Sequence, residues 1–544
     1  MSIFFINSNQ TSTRALAVSD GAMVTRNGGI SVPGGNAIEA LGTANGTTVQ
    51  VGGYLYGRYA GIRLTGTSIA DDDPLGLGGH VVQVTANGVV GGAENVSDYA
   101  AIMVSGTGNR IYNEGQVFGG YTGILAHGSD TAISNGGTVM GSARGIEFRG
   151  GDGLSFYYTL TNSGTVEGET GIARTGGFGE TRINNTGEIV AGSAGWAIAI
   201  TGTAAGASSL VLVNAGTVSG GIQAAVAELD GTPDQTDDTI LNHGLIAGNA
   251  YLSLGADSLR NDGRIDGDVD LGVGDDIYSG FGGTVSGAVL GGDGNDLFLV
   301  DQPDLLVVGG AGNDTLRGYS DVTAGGGIEV IQLLGGAPLN ATGDDGANTI
   351  TGNSGANILE GGDGADTLIG FAGTDDLSGG AGNDVLRAGV DADFLSGGAD
   401  NDVLAGQGGN DELEGGTGDD TMAGHAGDDV LTGGLGRDLL VGGIGADVYI
   451  FTDIAESSGD LLVSDRIAGF VSGEDRVDLS EINEEAFAFL GTDVFTGGGG
   501  MELRYLVNAV GHAIVYLDAD GDGGTDAALI MLGAGALSAT DFIL

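Results

Sequence analysis

Ten aspartates stand nine residues apart: Asp366, Asp375, Asp384, Asp393, Asp402, Asp411, Asp420, Asp429, Asp438 and Asp447, with Asn348 and Asn357 opening the same series. Carboxylates spaced so evenly suit one chemistry above others, the shared binding of a hard cation. Ca2+ takes six to eight oxygens at about 2.3–2.6 Å, more than one short turn supplies. Each aspartate is the sixth residue of a unit close to GGxGxDxUx, where U is a large apolar residue, and twelve such units run from Gly343 to Ile450. The eighth residues are Ile350, Leu359, Leu368, Leu377, Leu386, Leu395, Leu404, Leu413, Met422, Leu431, Leu440 and Tyr449.

The glycines let the first six residues turn through positive φ and present backbone carbonyls, while the last three form a short strand with its central side chain facing inward. Two units then complete one coil of a parallel β-roll. Positions eighteen apart stack, so Asp366, Asp384, Asp402, Asp420 and Asp438 form one ladder and Asp375, Asp393, Asp411, Asp429 and Asp447 the other. Calcium ions are expected between the rungs. A flexible Gly/Asp linker would not keep an apolar residue at every eighth position. Two units outside the continuous register, Gly291–Leu299 and Gly309–Arg317, add Asp296 and Asp314, and Asp276 joins the candidate ligands. Asp391 and Asp400 replace the fourth-position glycine, which marks their turns for different coordination.

On these residues the segment resembles the repeats-in-toxin (RTX) family of secreted bacterial proteins. The resemblance implies calcium as the cofactor, several ions per chain, and an extracellular or cell-surface location.

Composition agrees with repetitive strands. The chain has 544 residues, 113 of them glycine, one tryptophan and no cysteine, so disulfides and thiolate metal sites are excluded. MSIFFINSNQ lacks a basic leader and a seven-residue apolar stretch, so no cleaved export signal is expected, and the sequence has no long apolar run of the kind a transmembrane segment needs. The formal charge is −55, with 25 acids against 11 arginines in residues 1–270 and 47 against 6 in residues 271–544. Nucleic acid is a poor partner for such a surface. All 17 basic residues are arginine.

A longer period occupies the first half. A GxUxG step recurs at Gly53, Gly88, Gly115, Gly137, Gly164, Gly216, Gly244, Gly263 and Gly283, with Gly187 close to the pattern. Asn113, Asn135, Asn162, Asn185, Asn214, Asn242 and Asn261 each stand two residues before such a step. Asparagine suits a stacked corner, because its amide can bond to the copy in the next coil. A second apolar step follows at Gly123-Ile124, Gly145-Ile146 and Gly171-Ile172. This spacing predicts coils of a parallel β-helix, with a β-sandwich as the alternative and loops 67–80 and 228–238 protruding. The pattern resembles the passenger β-helices of bacterial adhesins and haemagglutinin-type exoproteins.

After Ile450, DRIAGFVSGEDRVDLSEI, with Asp465, Phe470, Gly473, Asp475, Asp478 and Leu479, resembles the C-terminal β-domain of serralysin metalloproteases. YLDADGDGGTDAALIML does so too, and the terminal Asp541-Phe542-Ile543-Leu544 resembles a type I secretion signal. Asp518, Asp520 and Asp522 before Gly523 match the opening of an EF-hand loop, although its twelfth position is Leu529. They are added to the candidate calcium ligands.

The protease resemblance does not extend to chemistry. No HExxH occurs, and His80, His127, His243, His425 and His512 are scattered; GxSxG is absent as well. A polysaccharide-processing groove would need acids and arginines converging on one face. Arg144, Glu147, Arg149, Glu167, Glu169, Arg174, Glu180 and Arg182 are the candidates, with Phe156, Tyr157 and Tyr158 for sugar stacking.

The expected architecture is all-β: an N-terminal cap at 1–28, a parallel β-helix at 29–290, an RTX β-roll at 291–450 and a C-terminal β-domain with secretion signal at 451–544. The β-helix is expected to run directly into the roll. The expected function is that of a non-enzymatic, calcium-binding structural or adhesive protein, secreted by the type I machinery. It would fold on binding calcium. Its expected partners are copies of itself in a layer, filament or matrix, and surface glycans. The alternative is a carbohydrate-active or carbohydrate-binding protein using the β-helix face.

Overall fold

Parallel strand pairing dominates the computed structural model, which describes residues 3–6, 14–15, 21–24, 29–32, 38–40, 48–57, 60–64, 80–92, 100–150, 155–193, 195–201, 208–226, 236–482 and 486–544. Two compact units emerge, Met1–Leu305 with Gly310–Gly312, and Leu306–Gly309 with Asn313–Leu544. The division falls beyond the expected boundary at residue 290. The repeat bearing Asp296 therefore belongs to the first unit.

Coils of three strands build the first unit. One coil consists of Thr131–Asn135, Thr138–Gly141 and Arg144–Arg149, each paired in parallel with its counterpart in the following coil. Side chains alternate in and out along each strand, so one apolar column forms per sheet. Ile111, Ile133, Leu160, Ile183, Leu212, Ile240 and Leu259 stack in the first sheet. Val117, Val139, Val166, Ile189, Val218 and Ile246 stack in the second, and Ile102, Ile124, Ile146, Ile172, Ile198 and Ile222 in the third. All are buried. The parallel pairing sets aside a β-sandwich.

The asparagines hold one corner. Asn113 Nδ2 donates to Asn135 Oδ1 at 2.7 Å, Asn135 to Asn162 at 2.7 Å, Asn162 to Asn185 at 2.8 Å and Asn185 to Asn214 at 2.8 Å. Asn214 to Asn242 at 2.8 Å and Asn242 to Asn261 at 2.7 Å complete the column. The glycine that follows is forced by close packing. A Cβ on Gly164 would strike the carbonyl of Gly137.

Strand Ile3–Ile6 pairs in parallel with Gly21–Val24, which pairs with Thr48–Val51. The segment expected to cap the solenoid thus contributes rungs to it. Most of loops 67–80 and 228–238 lies outside the described residues, but their last residues, His80 and Asp238, are buried.

In the second unit the continuous repeats form coils of two strands and eighteen residues. Ile350, Leu368, Leu386, Leu404, Met422 and Leu440 form one column, and Leu359, Leu377, Leu395, Leu413, Leu431 and Tyr449 the other. Both are buried, as the repeat pattern requires. Ile467 and then Met531 extend the first column; Val477 and then Phe542 extend the second. The C-terminal region therefore continues both faces of the roll. Its strands Glu502–Val507, Ala513–Asp518 and Ala527–Leu532 form an antiparallel meander beside the first face. Among the described residues, no helix is long and apolar enough to cross a membrane.

Candidate metal centre

From the unit beginning at Gly361 to that beginning at Gly442, each repeat turns on two residues with left-handed backbone, the second and the fourth. In the unit beginning at Gly379 these are Gly380 (φ 113°) and Gly382 (φ 123°). The turn brings the sixth residue, Asp384, beneath the coil that follows, and its backbone N–H donates to Asp402 Oδ1 at 2.8 Å. That bond repeats along the ladder: Asn348 to Asp366 (2.7 Å), Asp366 to Asp384 (2.8 Å), Asp402 to Asp420 (2.8 Å) and Asp420 to Asp438 (2.8 Å). On the other edge Asn357, Asp375, Asp393, Asp411 and Asp429 donate in turn to Asp375, Asp393, Asp411, Asp429 and Asp447, at 2.8 to 3.1 Å. All of these aspartates are buried.

One carboxylate oxygen is thereby taken and the other left over. Oδ2 of Asp366, Asp375, Asp384, Asp393, Asp402, Asp411, Asp420, Asp429, Asp438 and Asp447 is buried with no hydrogen-bond partner. Bare oxygens in that position cost free energy unless something compensates. A Cβ on Gly361 would strike both Asp366 Oδ2 and the carbonyl of Gly379, and one on Gly379 would strike Asp384 Oδ2 and the carbonyl of Gly397. The orphaned oxygen and a carbonyl of the next coil thus converge beside Gly361, Gly370, Gly379, Gly397 and Gly415. Carboxylate and carbonyl oxygens from successive coils are the donor set of a Ca2+ site, and the residues present fit that ion. Ala388, buried at the first position of its unit, is the one departure within 361–450.

Burial pushes Asp366, Asp375, Asp429 and Asp447 up to about 6, and Asp393, Asp402 and Asp438 up to about 7. The donated backbone N–H opposes the shift, and neighbouring carboxylates add to it. Without a cation these carboxyls bind a proton more tightly than exposed ones do.

Both ladders run past the continuous repeats. Asp438 N–H donates to Asp465 Oδ1 at 2.8 Å, and Asp447 N–H to Asp475 Oδ1 at 3.1 Å. Burial raises Asp465 to about 8, and its Oδ2 has no partner, whereas Asp475 Oδ2 accepts from Val471 N–H at 2.7 Å. Neither residue follows its rung at the eighteen-residue spacing; the signal in the sequence is the Asp-x-apolar tail of a repeat, kept in Asp465-Arg466-Ile467 and Asp475-Arg476-Val477.

The remaining candidates separate. Asn348 and Asn357 start the ladders, and the protein already engages their amides. Their Oδ1 atoms accept from Asp344 and Asn353 N–H at 2.9 and 2.8 Å, and their Nδ2 atoms donate to Ile328 and Leu339 carbonyls at 2.6 and 2.9 Å. Asp314 N–H donates to Glu329 Oε2 at 2.6 Å, so a glutamate replaces the next aspartate. Asp276 and Asp296 lie in the first unit. Asp391 and Asp400 take φ of 78° and 76°, which keeps the turn in shape without glycine. Asp518, Asp520 and Asp522 bring carboxylate oxygens within 4.8 Å of one another. Both Asp518 oxygens, however, accept N–H groups of their own turn, from Gly521 and Gly523 at 2.8 Å.

The proposed polysaccharide groove is not assembled. A three-sided coil sends its candidates to three sheets: Arg144, Glu147, Arg149 and Arg174 to one, Glu167 to a second, Glu180 and Arg182 to a third. Glu147 is buried beneath Arg144 and Arg149, at 2.6 and 2.9 Å, and Arg182 pairs with Glu180 at 3.0 Å. Arg174 is in register with Phe148 and fully buried, its guanidinium 5.8 Å from the centre of the Tyr158 ring. Phe156 and Tyr158 are buried as well, leaving Tyr157 exposed.

One family model matches the repeat region. The model of the RTX calcium-binding nonapeptide repeat matches residues 306–322, 342–377, 369–404, 378–413, 405–440 and 414–449. No curated protein matches the chain. Among solved structures, the AlgE6R3 subunit of the Azotobacter vinelandii mannuronan C5-epimerase is 29% identical over 28% of this chain and 78% of that one, with a TM-score of 0.20. The AlgE6R2 subunit of the same enzyme is 26% identical over 27% of this chain and 91% of that one, with a TM-score of 0.23.

Proposed function

We propose that this chain, which carries RTX calcium-binding nonapeptide repeats, is an extracellular structural or adhesive protein that folds when it meets calcium and is exported by a type I system. The observation that supports the reading best is the pair of buried ladders whose Oδ2 atoms have no partner within the protein. In a compartment poor in calcium those oxygens oppose folding; outside the cell the ions supply the missing partners, and folding and binding become one event.

The C terminus fits this order of events. Asp541 and Phe542 are buried, Asp541 accepts from Gly473 N–H at 2.9 Å, and Phe542 pairs with Val477. An export signal at this end is accessible only before the domain folds. A structural role draws support from repetition, since each coil presents the same outward positions as the last, and bound calcium would screen repulsion between acidic neighbours. Sedimentation and electron microscopy of the full chain with calcium and with chelator test the role. Calcium-dependent assembly or attachment to a glycan-coated surface is the expected result. A calcium-loaded monomer that processes a polysaccharide and neither assembles nor adheres would replace this reading with an enzymatic one.

A further inference from the structure

The repeat turn is not confined to the second unit. Within the three-sided coils of the first, Leu252–Arg260 and Leu271–Ser279 lack the leading Gly-Gly and lie outside the matched repeats. They nevertheless make the same corner. Left-handed backbone falls on their second and fourth residues, Ser253 (φ 94°) and Gly255 (φ 130°), then Gly272 (φ 108°) and Gly274 (φ 142°). Gly292 (φ 114°) and Gly294 (φ 141°) follow one coil on. A Cβ on Gly294 would strike the carbonyl of Gly274, as one on Gly382 would strike that of Gly364 in the roll. The carbonyls of this corner therefore stack as they do between calcium-binding repeats.

The sixth residues also form a ladder. Asp238 N–H donates to Asp257 Oδ1 at 2.6 Å, Asp257 to Asp276 at 2.6 Å and Asp276 to Asp296 at 2.8 Å. Even the outer row recurs. Asn295 N–H donates to Asp275 Oδ1 and Ala256 N–H to Asp237 Oδ1, at 2.8 and 2.9 Å, as Asn401 N–H does to Asn383 Oδ1 in the roll at 2.9 Å. Asp276 is 1% exposed, and its Oδ2 has no partner. The first position differs: Leu252 and Leu271 replace glycine and are buried.

We propose that the β-helix itself binds divalent cations at this corner, Ca2+ foremost, with Asp276 as the central ligand between the turns carrying Asp257 and Asp296. The carboxylate ladder, stacked carbonyls and orphaned buried oxygen together supply hard-cation chemistry in coils of 19 and 20 residues. The inference extends the calcium reading of the roll to the first unit.

Counting ions separates the two. Equilibrium dialysis of the full chain against calcium alone is compared with full-chain Asp276→Asn, whose amide oxygen still accepts the Asp257 N–H. The variant is expected to bind at least one ion fewer while the roll keeps its complement. An unchanged count overturns the proposal, and absence of calcium binding by the parent chain overturns the reading of the roll as well. If Asp276→Asn does not fold, deuterium exchange of the parent chain decides. Added calcium should slow exchange at least tenfold in peptides spanning 252–260 and 271–279; slowing confined to residues beyond 305 would defeat the assignment.

Discussion

The backbone N–H of Asp402 donates to Oδ1 of Asp420 one coil later, at 2.8 Å, and so commits half of the Asp420 carboxylate to the protein. Its other oxygen is buried without a partner. The two oxygens have separate duties, and substitutions can separate them. Asp420→Asn keeps an acceptor for the Asp402 N–H but weakens the ligand set, so its calcium-saturated fold should survive while the midpoint calcium concentration for folding rises. Asp420→Ala removes both contributions and should cost about 1–3 kcal/mol more, because a buried N–H loses its acceptor. Calcium titrations followed by circular dichroism, with thermal melts at saturating calcium, read the two effects. Equal saturated stability of the two variants would show that the inter-coil bond contributes nothing.

Leu404 is 1% exposed in the apolar column that contains Ile350 and Leu386. Leu404→Asp should lose several kcal/mol that added calcium does not restore, since the new carboxylate points away from the ladder into the core. Leu404→Ala should cost about 2–5 kcal/mol at every calcium concentration. Rescue of Leu404→Asp by millimolar calcium would put this side chain on the wrong face.

Protons and calcium compete for the ladder. In the metal-free fold Asp393, Asp402 and Asp438 are held near 7 by burial, against about 3.9 in an unfolded chain. A raised carboxyl pKa means that the folded state binds the proton more tightly. The stabilisation is full below about pH 4 and is lost as pH rises through about 7. In chelator the roll should therefore retain more strand signal at pH 5 than at pH 8, while calcium affinity should fall as pH drops below 7. A chelated chain more structured at pH 8 than at pH 5 would contradict this.

Asn162 receives an amide N–H from Asn135 and gives one to Asn185. Asn162→Ala leaves both neighbours short of a partner in a buried corner and should cost about 2–5 kcal/mol, from two groups at about 1–3 kcal/mol each less what the smaller side chain releases. The loss should not depend on calcium. Deuterium exchange should place the opening in the coils around residue 162, and a destabilisation that disappears on calcium addition would refute a purely amide-borne role.

Removal of Ser538–Leu544 should keep the chain inside the producing cell, if export reads this end. It also deletes the Phe542 rung beside Val477 and the Asp541 carboxylate that accepts from Ser472 Oγ at 2.8 Å. Refolding the purified truncated chain in calcium separates the two consequences. Normal amounts in the medium would exclude a C-terminal signal.

Period and local turn chemistry, both carried by the sequence alone, determined the ladders of the roll, the inward leucines and the asparagine column. A left-handed turn every nine residues fixes which side chains stack, because any slip of one residue would turn the apolar column outward. The tertiary structure decided whatever depends on how a coil closes. Arg149 and Arg174 lie on neighbouring strands of one sheet, yet the first pairs with Glu147 and the second enters the core at the level of Phe148. Strand alternation separates them, since Arg174 stands two residues after inward Ile172 and Arg149 three after inward Ile146; what only packing decides is that the core accommodates the inward arginine beside Tyr158. Asp257 and Asp276 join a ladder without the Gly-Gly signature, because buried leucine can occupy the first position when a third strand widens the coil. Asp465 and Asp475 become end rungs although 27 and 28 residues separate them from their predecessors, for the chain can leave the roll and return to the same edge. Spacing reveals a repeat only while the path between its copies stays constant. Where the path lengthens, the contact itself has to show which residues still stack.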